Sequence, residues 1–142
     1  MSNKKVELLA PAGSPEGLRA AVQSGAGAVY MGFGTFNARR NAQGFSHDEM
    51  AEAIAYCRAR DVKTNITLNI LAGDRELEDA LEDAKFLYEA GADALIIQDL
   101  GLARLIHAHA PDFALHGSTQ MTIHTLDAAR QARDIGFSRV VL

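Results

Sequence analysis

The stretch AGADALII, at residues 90–97, spans the end of one helix and the start of one buried strand. Its glycine stands where a helix must adopt a left-handed conformation to stop, and the apolar run after it is typical of a strand buried on both faces. Two similar stretches occur in the chain, SGAGAVYM at 24–31 and IGFSRVVL at 135–142. One βα unit is therefore repeated, which predicts a parallel sheet.

Apolar, β-rich segments alternate with amphipathic segments along the whole chain. We predict strands at residues 6–10, 28–32, 62–70, 94–98, 113–118 and 139–142, and helices at 15–25, 47–60, 74–90, 99–110 and 125–135. Helix starts carry capping residues: Ser14 precedes Pro15, and Ser46 stands three residues before Glu49, the capping-box spacing. Such a pattern fits an open doubly wound sheet or part of a (βα)8 TIM-type barrel, and periodicity does not choose between them.

Length and composition favour a globular domain. The chain has 142 residues, 48% of them hydrophobic, and a formal net charge of -4, so it lacks a basic field for non-specific nucleic-acid binding. The apolar runs are shorter than a membrane span, and the N-terminal MSNKK leads into an apolar strand rather than a signal-peptide core, so we expect a cytoplasmic protein. Because a complete barrel usually needs about 250 residues, we expect residues 1–142 to be a single domain, the N-terminal portion of a truncated barrel with six parallel strands and outer helices. Its open edge would promote self-association.

Polar residues recur at the predicted carboxyl ends of the strands, where both parallel architectures bind ligands. We expect a ligand rim from these positions: Asn37 and Arg39 after strand two, Thr67 and Asn69 at the end of strand three, Gln98 and Asp99 at the end of strand four, and His116, Ser118 and Gln120 at the end of strand five. Two alternatives stay open. Asp99 also suits the role of a helix cap, and Arg39 and its neighbour Arg40 suit either solvent or an anionic ligand.

A Ser-His-Asp arrangement can be drawn from His116 and Ser118, which share a strand face, and Asp99 at the end of the preceding strand. However, there is no G-x-S-x-G elbow to lift the serine out of the strand. The stretch LHGSTQ, at 115–120, therefore favours a site that orients a polar ligand over one that supplies a nucleophile.

Metal and cysteine chemistry find little support in the sequence. His107 and His109 point in different directions on a helix, and no H-E-x-x-H motif occurs, so no metal site is predicted. Cys57 is the only cysteine, which excludes an internal disulfide and a cysteine-ligated cluster made by this chain alone. Its position in the apolar phase of a predicted helix favours a small buried residue.

Several motifs together resemble, in order and spacing, the N-terminal part of the collagenase-like peptidases of unknown catalytic type, family thirty-two (the U-32 type). They are ELLAPAGSPEGLRAAVQSGAGAVYMG, FNAR, TLN, GADALIIQDLG, LHGSTQMTIH and GFSRVVL, and the resemblance covers essentially all 142 residues. It implies a (βα)-barrel enzyme. The family name implies a protease or other hydrolase, whereas relatives carry out oxygen-independent hydroxylation of a tRNA or rRNA base or of a ubiquinone precursor.

The resemblance also implies cofactors and site residues. Relatives hold an iron-sulfur cluster through four downstream cysteines, none matched by Cys57, and the RNA-modifying ones use prephenate as a hydroxyl source. We expect RNA-base hydroxylation by a longer protein, with a genuine peptidase or a non-catalytic partner-binding scaffold as alternatives, and no cofactor held by this chain alone. The residues expected to be catalytic are Asp99, His116 and Ser118; those expected to bind substrate are Asn37, Arg39, Asn69, Gln98 and Gln120.

Overall fold

The computed structural model describes residues 6–37 and 44–142. One parallel sheet has its strands in sequential order: β1 (Leu9–Pro11), β2 (Ala28–Gly32), β3 (Lys63–Leu68), β4 (Ala94–Ile97), β5 (Ala114–Gly117) and β6 (Phe137–Val140). The connecting helices are α1 (Pro15–Gln23), α2 (His47–Arg58), α3 (Leu77–Ala90), α4 (Leu100–His109) and α5 (Leu126–Ile135), with a short 3-10 helix at Thr119–Met121. Sequential order confirms the barrel-type prediction, because a doubly wound sheet would have β1 in its interior.

The sheet is strongly curved, as one long-range ion pair demonstrates. In a flat sheet, five strand spacings of about 4.8 Å would separate β1 from β6 by roughly 24 Å. Yet Oε1 of Glu7, two residues before β1, lies 3.1 Å from Nη1 of Arg139 on β6. Lys63 of β3 reaches Oε2 of the same carboxylate at 3.3 Å. These three side chains therefore lie on the concave side, which we call the inner face.

The hydrophobic core lies between the convex face of the sheet and the helices. Because successive side chains of a strand point to opposite faces, every second residue of β3 and β4 packs outward against helices. Fully buried side chains from sheet and helices build this core, including Ile66, Leu68, Leu95, Ile97, Met50, Ile54, Leu87 and Leu102.

Local signals at the helix ends are confirmed. Ser46 and Glu49 form the reciprocal capping box, with Glu49 N donating to Ser46 Oγ at 3.3 Å and Ser46 N donating to Glu49 Oε2 at 2.8 Å. The three glycines of the repeated stretch all have positive φ: Gly25 at 91°, Gly91 at 83° and Gly136 at 124°. A residue with a Cβ is disfavoured in this conformation, so the repeat reflects a backbone requirement.

The predicted strand boundaries need correction at both edges of the sheet. β1 begins at Leu9 rather than at residue 6, because it pairs with β2 alone and Val6 is 91% exposed. β6 begins at Phe137, directly after the glycine, and ends at Val140 rather than extending over 139–142. Ser138 is an extra residue in the β5–β6 ladder, because Leu115 pairs with Phe137 and His116 pairs with Arg139.

Elements in the middle of the chain are also shorter than predicted. β3 spans Lys63–Leu68 rather than 62–70, and β5 stops at Gly117, before Ser118. Helix α3 begins at Leu77 rather than at residue 74. Ser118 Oγ accepts from Gln120 N after β5, and Glu76 Oε2 accepts from Gly73 N before α3, so turns replace the regular segments at these two places. No helix among the described residues is long and apolar enough to cross a membrane.

Candidate functional site

A cleft of about 730 Å³ opens at the carboxyl ends of the strands on the inner face. The alternation of side chains along the strands brings Thr67, Ile96 and Ser118 to it from three different strands or strand ends. Its lining residues in the described chain are Leu9, Ala12, Gly13, Tyr30, Gly32, Gly34, Asn37, Gly44, Phe45, Ser46, Glu49, Thr67, Asn69, Ile96, Ser118, Thr119 and Val141. Three predicted site residues, Asn37, Asn69 and Ser118, are among them.

Ser118 and Asn69 meet on one wall of this cleft. Ser118 is 1% exposed, and its Oγ accepts hydrogen bonds from Asn69 Nδ2 at 3.3 Å and from the Gln120 backbone N at 3.3 Å. The second bond makes Ser118 the N-cap of the 3-10 helix, which turns the chain out of β5. The hydroxyl oxygen is therefore an acceptor for two donors within the protein.

The loop after β2 is held by Asn37. This side chain is 5% exposed, and its Nδ2 donates to the carbonyl oxygens of Phe33 at 3.1 Å and Gly34 at 2.7 Å. A Cβ at Gly32 would lie 2.9 Å from Asn37 Oδ1, so this close approach requires glycine. Asn37 thus shapes the cleft wall from within its loop. Arg39, predicted to bind substrate, lies outside the described residues.

Asp99 caps α4 and does not line the cleft. Its Oδ1 accepts from Leu102 N at 2.8 Å, and its Oδ2 accepts from Ala72 N at 3.3 Å. The carboxylate therefore joins the loop after β3, which contains Asn69, to the start of the next helix. These contacts match the capping alternative and give Asp99 a position from which it supports the cleft indirectly.

The two predicted glutamines contact each other at the rim rather than in the cleft. Nε2 of Gln98 donates to the backbone oxygen of Gln120 at 3.4 Å, and this contact is exposed. Neither side chain is among the described lining residues. Their predicted contact with substrate stays a prediction.

His116 lies deeper in the barrel than Ser118. It is 8% exposed, on the inner face of β5, and no group of the described chain hydrogen bonds to its ring. Burial lowers the pKa of His116 from 6.5 to about 4, with a further lowering by the cation of Arg139. The imidazole is therefore neutral near pH 7. Within residues 6–37 and 44–142, no hydrogen bond links Asp99, His116 and Ser118, so they do not form a triad there.

Asn65 is an inner-face residue that the sequence did not bring forward. It is 3% exposed and lies on β3 two residues before Thr67. Four polar side chains alternate along this strand and its end, at Lys63, Asn65, Thr67 and Asn69. That period of two was the signal, and only its last two members had been selected as site residues.

The iron-sulfur cluster implied by the resemblance does not fit the described residues. They contain no group of three or more His, Cys, Asp or Glu side chains that could hold a metal ion. Cys57 is fully buried on α2, and burial, followed by the charge of Asp93, raises the pKa of its thiol to about 11. A protonated, enclosed thiol is a poor metal ligand.

The described lining of the cleft combines apolar side chains with hydroxyl and amide groups and a single carboxylate. Among its described lining residues Glu49 is the only acidic or basic side chain apart from the tyrosine, and its carboxylate is bonded to Ser46. That hydrogen bond lowers the pKa of Glu49. Hydroxyl and amide groups such as these orient a polar ligand, whereas a nucleophile would need an adjacent base.

A sequential parallel sheet, curved with helices on its convex side and with a cleft at the carboxyl ends of its strands, defines a (βα)-barrel protein. The solved structure of a U32 peptidase has this fold, with a TM-score of 0.77 at 14% identity over 99% of this chain and 59% of that one. The model of peptidase family U32 matches residues 13–142. The chain belongs to that family.

Two curated relatives are named for RNA hydroxylation. The chain is 39% identical over 142 residues to the 23S rRNA 5-hydroxycytidine C2501 synthase of Escherichia coli (strain K12), covering 100% of this chain and 21% of that protein. It is 36% identical over 140 residues to the tRNA hydroxylation protein P1 of Bacillus subtilis (strain 168), covering 98% of this chain and 33% of the relative. The chain thus spans a third or less of the length of these relatives.

Proposed function

We propose that this chain is the N-terminal barrel part of an enzyme that hydroxylates a base of tRNA or rRNA without using oxygen. The 39% identity, over all 142 residues of this chain, to a relative named for rRNA hydroxycytidine synthesis carries the proposal. The cleft supports it, because neutral hydroxyl and amide groups such as Ser118 and Asn69 suit an uncharged polar substrate.

A genuine peptidase is the second candidate, favoured by the family description. The geometry of Ser118 argues against it as the nucleophile. Two donors occupy its Oγ, and the described chain offers no base in hydrogen-bonding contact with the hydroxyl. An activated serine needs a base to take its proton and an oxygen lone pair aimed at the substrate carbonyl. A third candidate, a non-catalytic scaffold, would use the barrel edge to bind a partner enzyme.

Cofactor chemistry belongs, in this proposal, to parts of the protein beyond these 142 residues. An iron-sulfur cluster held by further cysteines would supply the electron transfer, and prephenate would supply the hydroxyl group. Within this chain, Asn69 and Ser118 would orient the substrate, and Asp99 would hold the loop that carries Asn69. Arg39 would contact an anionic group, for which a guanidinium is well suited.

The test compares a strain lacking the gene with strains that carry variants of the complete gene. Mass spectrometry of nucleosides from total RNA should show loss of a hydroxylated pyrimidine in the deletion strain. Replacement of Arg39, Asn69 or Asp99 by alanine should reduce the modification more than Ser118→Ala does. The exposed Arg130→Ala, on α5, serves as the matched control and should leave the modification unchanged.

Peptide hydrolysis by the purified complete protein is the opposing measurement. Robust cleavage that Ser118→Ala abolishes, together with unchanged RNA hydroxylation in the deletion strain, would establish the peptidase instead. If the protein cleaves no peptide and deletion of its gene leaves RNA unchanged, the scaffold would be favoured.

Two further proposals follow from the exposed barrel edges and from the RNA substrate. Leu8 beside β1 is 59% exposed and Leu142 after β6 is 85% exposed, so the isolated chain would self-associate through these edges. Light scattering that gives a monomer mass at every concentration would exclude this. The reaction would take place in the cytoplasm, and fractionation of cells expressing a tagged protein tests that location.

A further inference from the structure

The inner face contains two buried polar side chains, Asn65 and His116, that the proposed function does not use. They are 3% and 8% exposed, and neither hydrogen bonds to another group in residues 6–37 and 44–142. In these same residues, every polar side-chain atom without solvent contact has a partner. The polar atoms of Asn65 and His116 therefore face open space inside the barrel.

Contacts across the barrel place these two residues at the same height. Residues at equal height on alternate strands of a (βα)8 barrel form one interior layer. Lys63 pairs with Ala28, which in turn pairs with Leu9, yet the side chain of Lys63 contacts Glu7, two residues before Leu9. A residue of β3 therefore lies at the same height along the barrel axis as the residue two positions before its ladder partner on β1.

The same shift of two positions from β3 to β5 identifies the layer. Asn65 pairs through Ala94 with Ala114, so two positions further along β5 is His116. On β1 the same rule gives Leu9, which lines the cleft. Asn65, His116 and Leu9 therefore form one layer at the base of the cleft.

Neighbouring residues connect this layer to the cleft. Tyr30 pairs with Asn65 in the ladder, and Ile96 pairs with His116; both of these partners line the cleft. Below the layer, the ion pairs of Glu7 with Lys63 and Arg139 occupy the amino end of the barrel. Asn65 and His116 are not themselves among the described lining residues, so they lie beneath the part of the cleft that Tyr30 and Ile96 form, and a group would reach them from there.

Most buried polar side chains in folded proteins have partners, whereas the polar atoms of Asn65 and His116 keep solvent contact and are open to a ligand. A carboxamide offers a donor and an acceptor in one plane, and a neutral imidazole offers one of each. We propose that Asn65 and His116 form a deep subsite that hydrogen bonds to the edge of an uncharged planar group, the nucleobase of the RNA substrate. This subsite rests on the proposed function, because the nucleobase is taken from it.

The experiment measures binding of cytidine and uridine to the complete protein by saturation-transfer NMR and calorimetry. Asn65→Leu and His116→Leu should each weaken binding of the recognised nucleoside by about tenfold or more, the loss of one good hydrogen bond. His109→Leu, on the outside of α4, is the matched control and should bind as the wild type does.

Thermal unfolding of the same variants separates a binding role from a structural one. A buried amide without a protein partner does not stabilise the fold, so Asn65→Leu should leave the melting temperature unchanged or raise it. The smaller Asn65→Ala provides a second variant that removes the same polar atoms without adding volume. Variants that melt lower but bind nucleoside as the wild type does would overturn the proposal.

The nucleobase subsite and the proposed hydroxylation reaction can be refuted separately. A wild-type protein that binds neither nucleoside would overturn the subsite even if RNA hydroxylation is observed in cells. Nucleoside binding that depends on Asn65, in a strain whose RNA is unchanged by deletion of the gene, would support the subsite and refute the proposed reaction.

Discussion

Acidification should destabilise the protein through His116. Burial and the cation of Arg139 lower the pKa of this imidazole from 6.5 to about 4, while the unfolded chain keeps an ordinary histidine pKa. Between these values the unfolded state binds the proton and the folded state does not. The free energy of unfolding therefore keeps its full value with respect to His116 above pH 6.5, and it decreases as the pH falls from 6.5 toward 4.

The size of the effect follows from the shift. A pKa that falls from 6.5 to about 4 corresponds to about 3 kcal/mol at full effect. The ring lies below an open cleft, where water screens its charge, so we expect about 2 kcal/mol. The charged groups around it act in both directions: the cations of Arg139 and Lys63 lower the pKa of His116, and the carboxylate of Glu7 raises it.

Urea unfolding at pH 7.5 and at pH 4.5 measures this contribution. The wild type should lose about 2 kcal/mol more than His116→Leu does over that interval, because carboxylates titrate in both proteins and largely cancel. Imidazole NMR signals provide a direct reading, since the His116 ring should stay neutral at pH 5.5. A His116 resonance that titrates near pH 6.5, or equal losses in the two proteins, would refute the reasoning.

Three other substitutions test local features. Asp93→Ala removes the hydrogen bonds that Oδ2 accepts from Thr64 N at 2.8 Å and Thr64 Oγ1 at 3.1 Å. This change should lower the free energy of unfolding by about 1–2 kcal/mol. An unchanged midpoint of urea unfolding would contradict this expectation. Ser46→Ala should cost about 1 kcal/mol through loss of the capping box, measured by the same titration. Gly34→Ala should lower the melting temperature, because φ is 60° and a Cβ there would meet the carboxylate of Asp83; a calorimetric scan that matches the wild type would refute it.

Features that depend on neighbours within a few residues were readable from the sequence. Glycines that end helices, such as Gly91, take positive φ, and the Ser46 capping box forms as its spacing predicts. The parallel direction of the strands was readable too, while their sequential order followed from the expectation of a barrel, which periodicity alone did not distinguish from a doubly wound sheet. The strands at the two edges were predicted less well, since pairing on one side leaves their ends poorly specified.

Candidate site residues were selected by a coarser rule, and the structure divides them. Asn69 and Ser118 meet in the cleft, whereas Asp99 turns both oxygens to backbone amides and His116 lies a layer deeper. Sequence position alone identified each of them as a strand-end residue. The backbone groups that contact a carboxylate depend on how two loops approach each other, and a local sequence pattern does not predict that approach.

The sequence by itself determined the repeated βα unit, the parallel direction of the strands and the helix ends, because each depends on backbone preferences and side chains a few residues apart. Only the tertiary structure decided which polar groups meet. Asn69 reaches Ser118 across 49 positions, and Glu7 reaches Arg139 across 132. Those contacts depend on the curvature of the sheet and on the tilt of the strands relative to the barrel axis. Both arise from the packing of all six strands together.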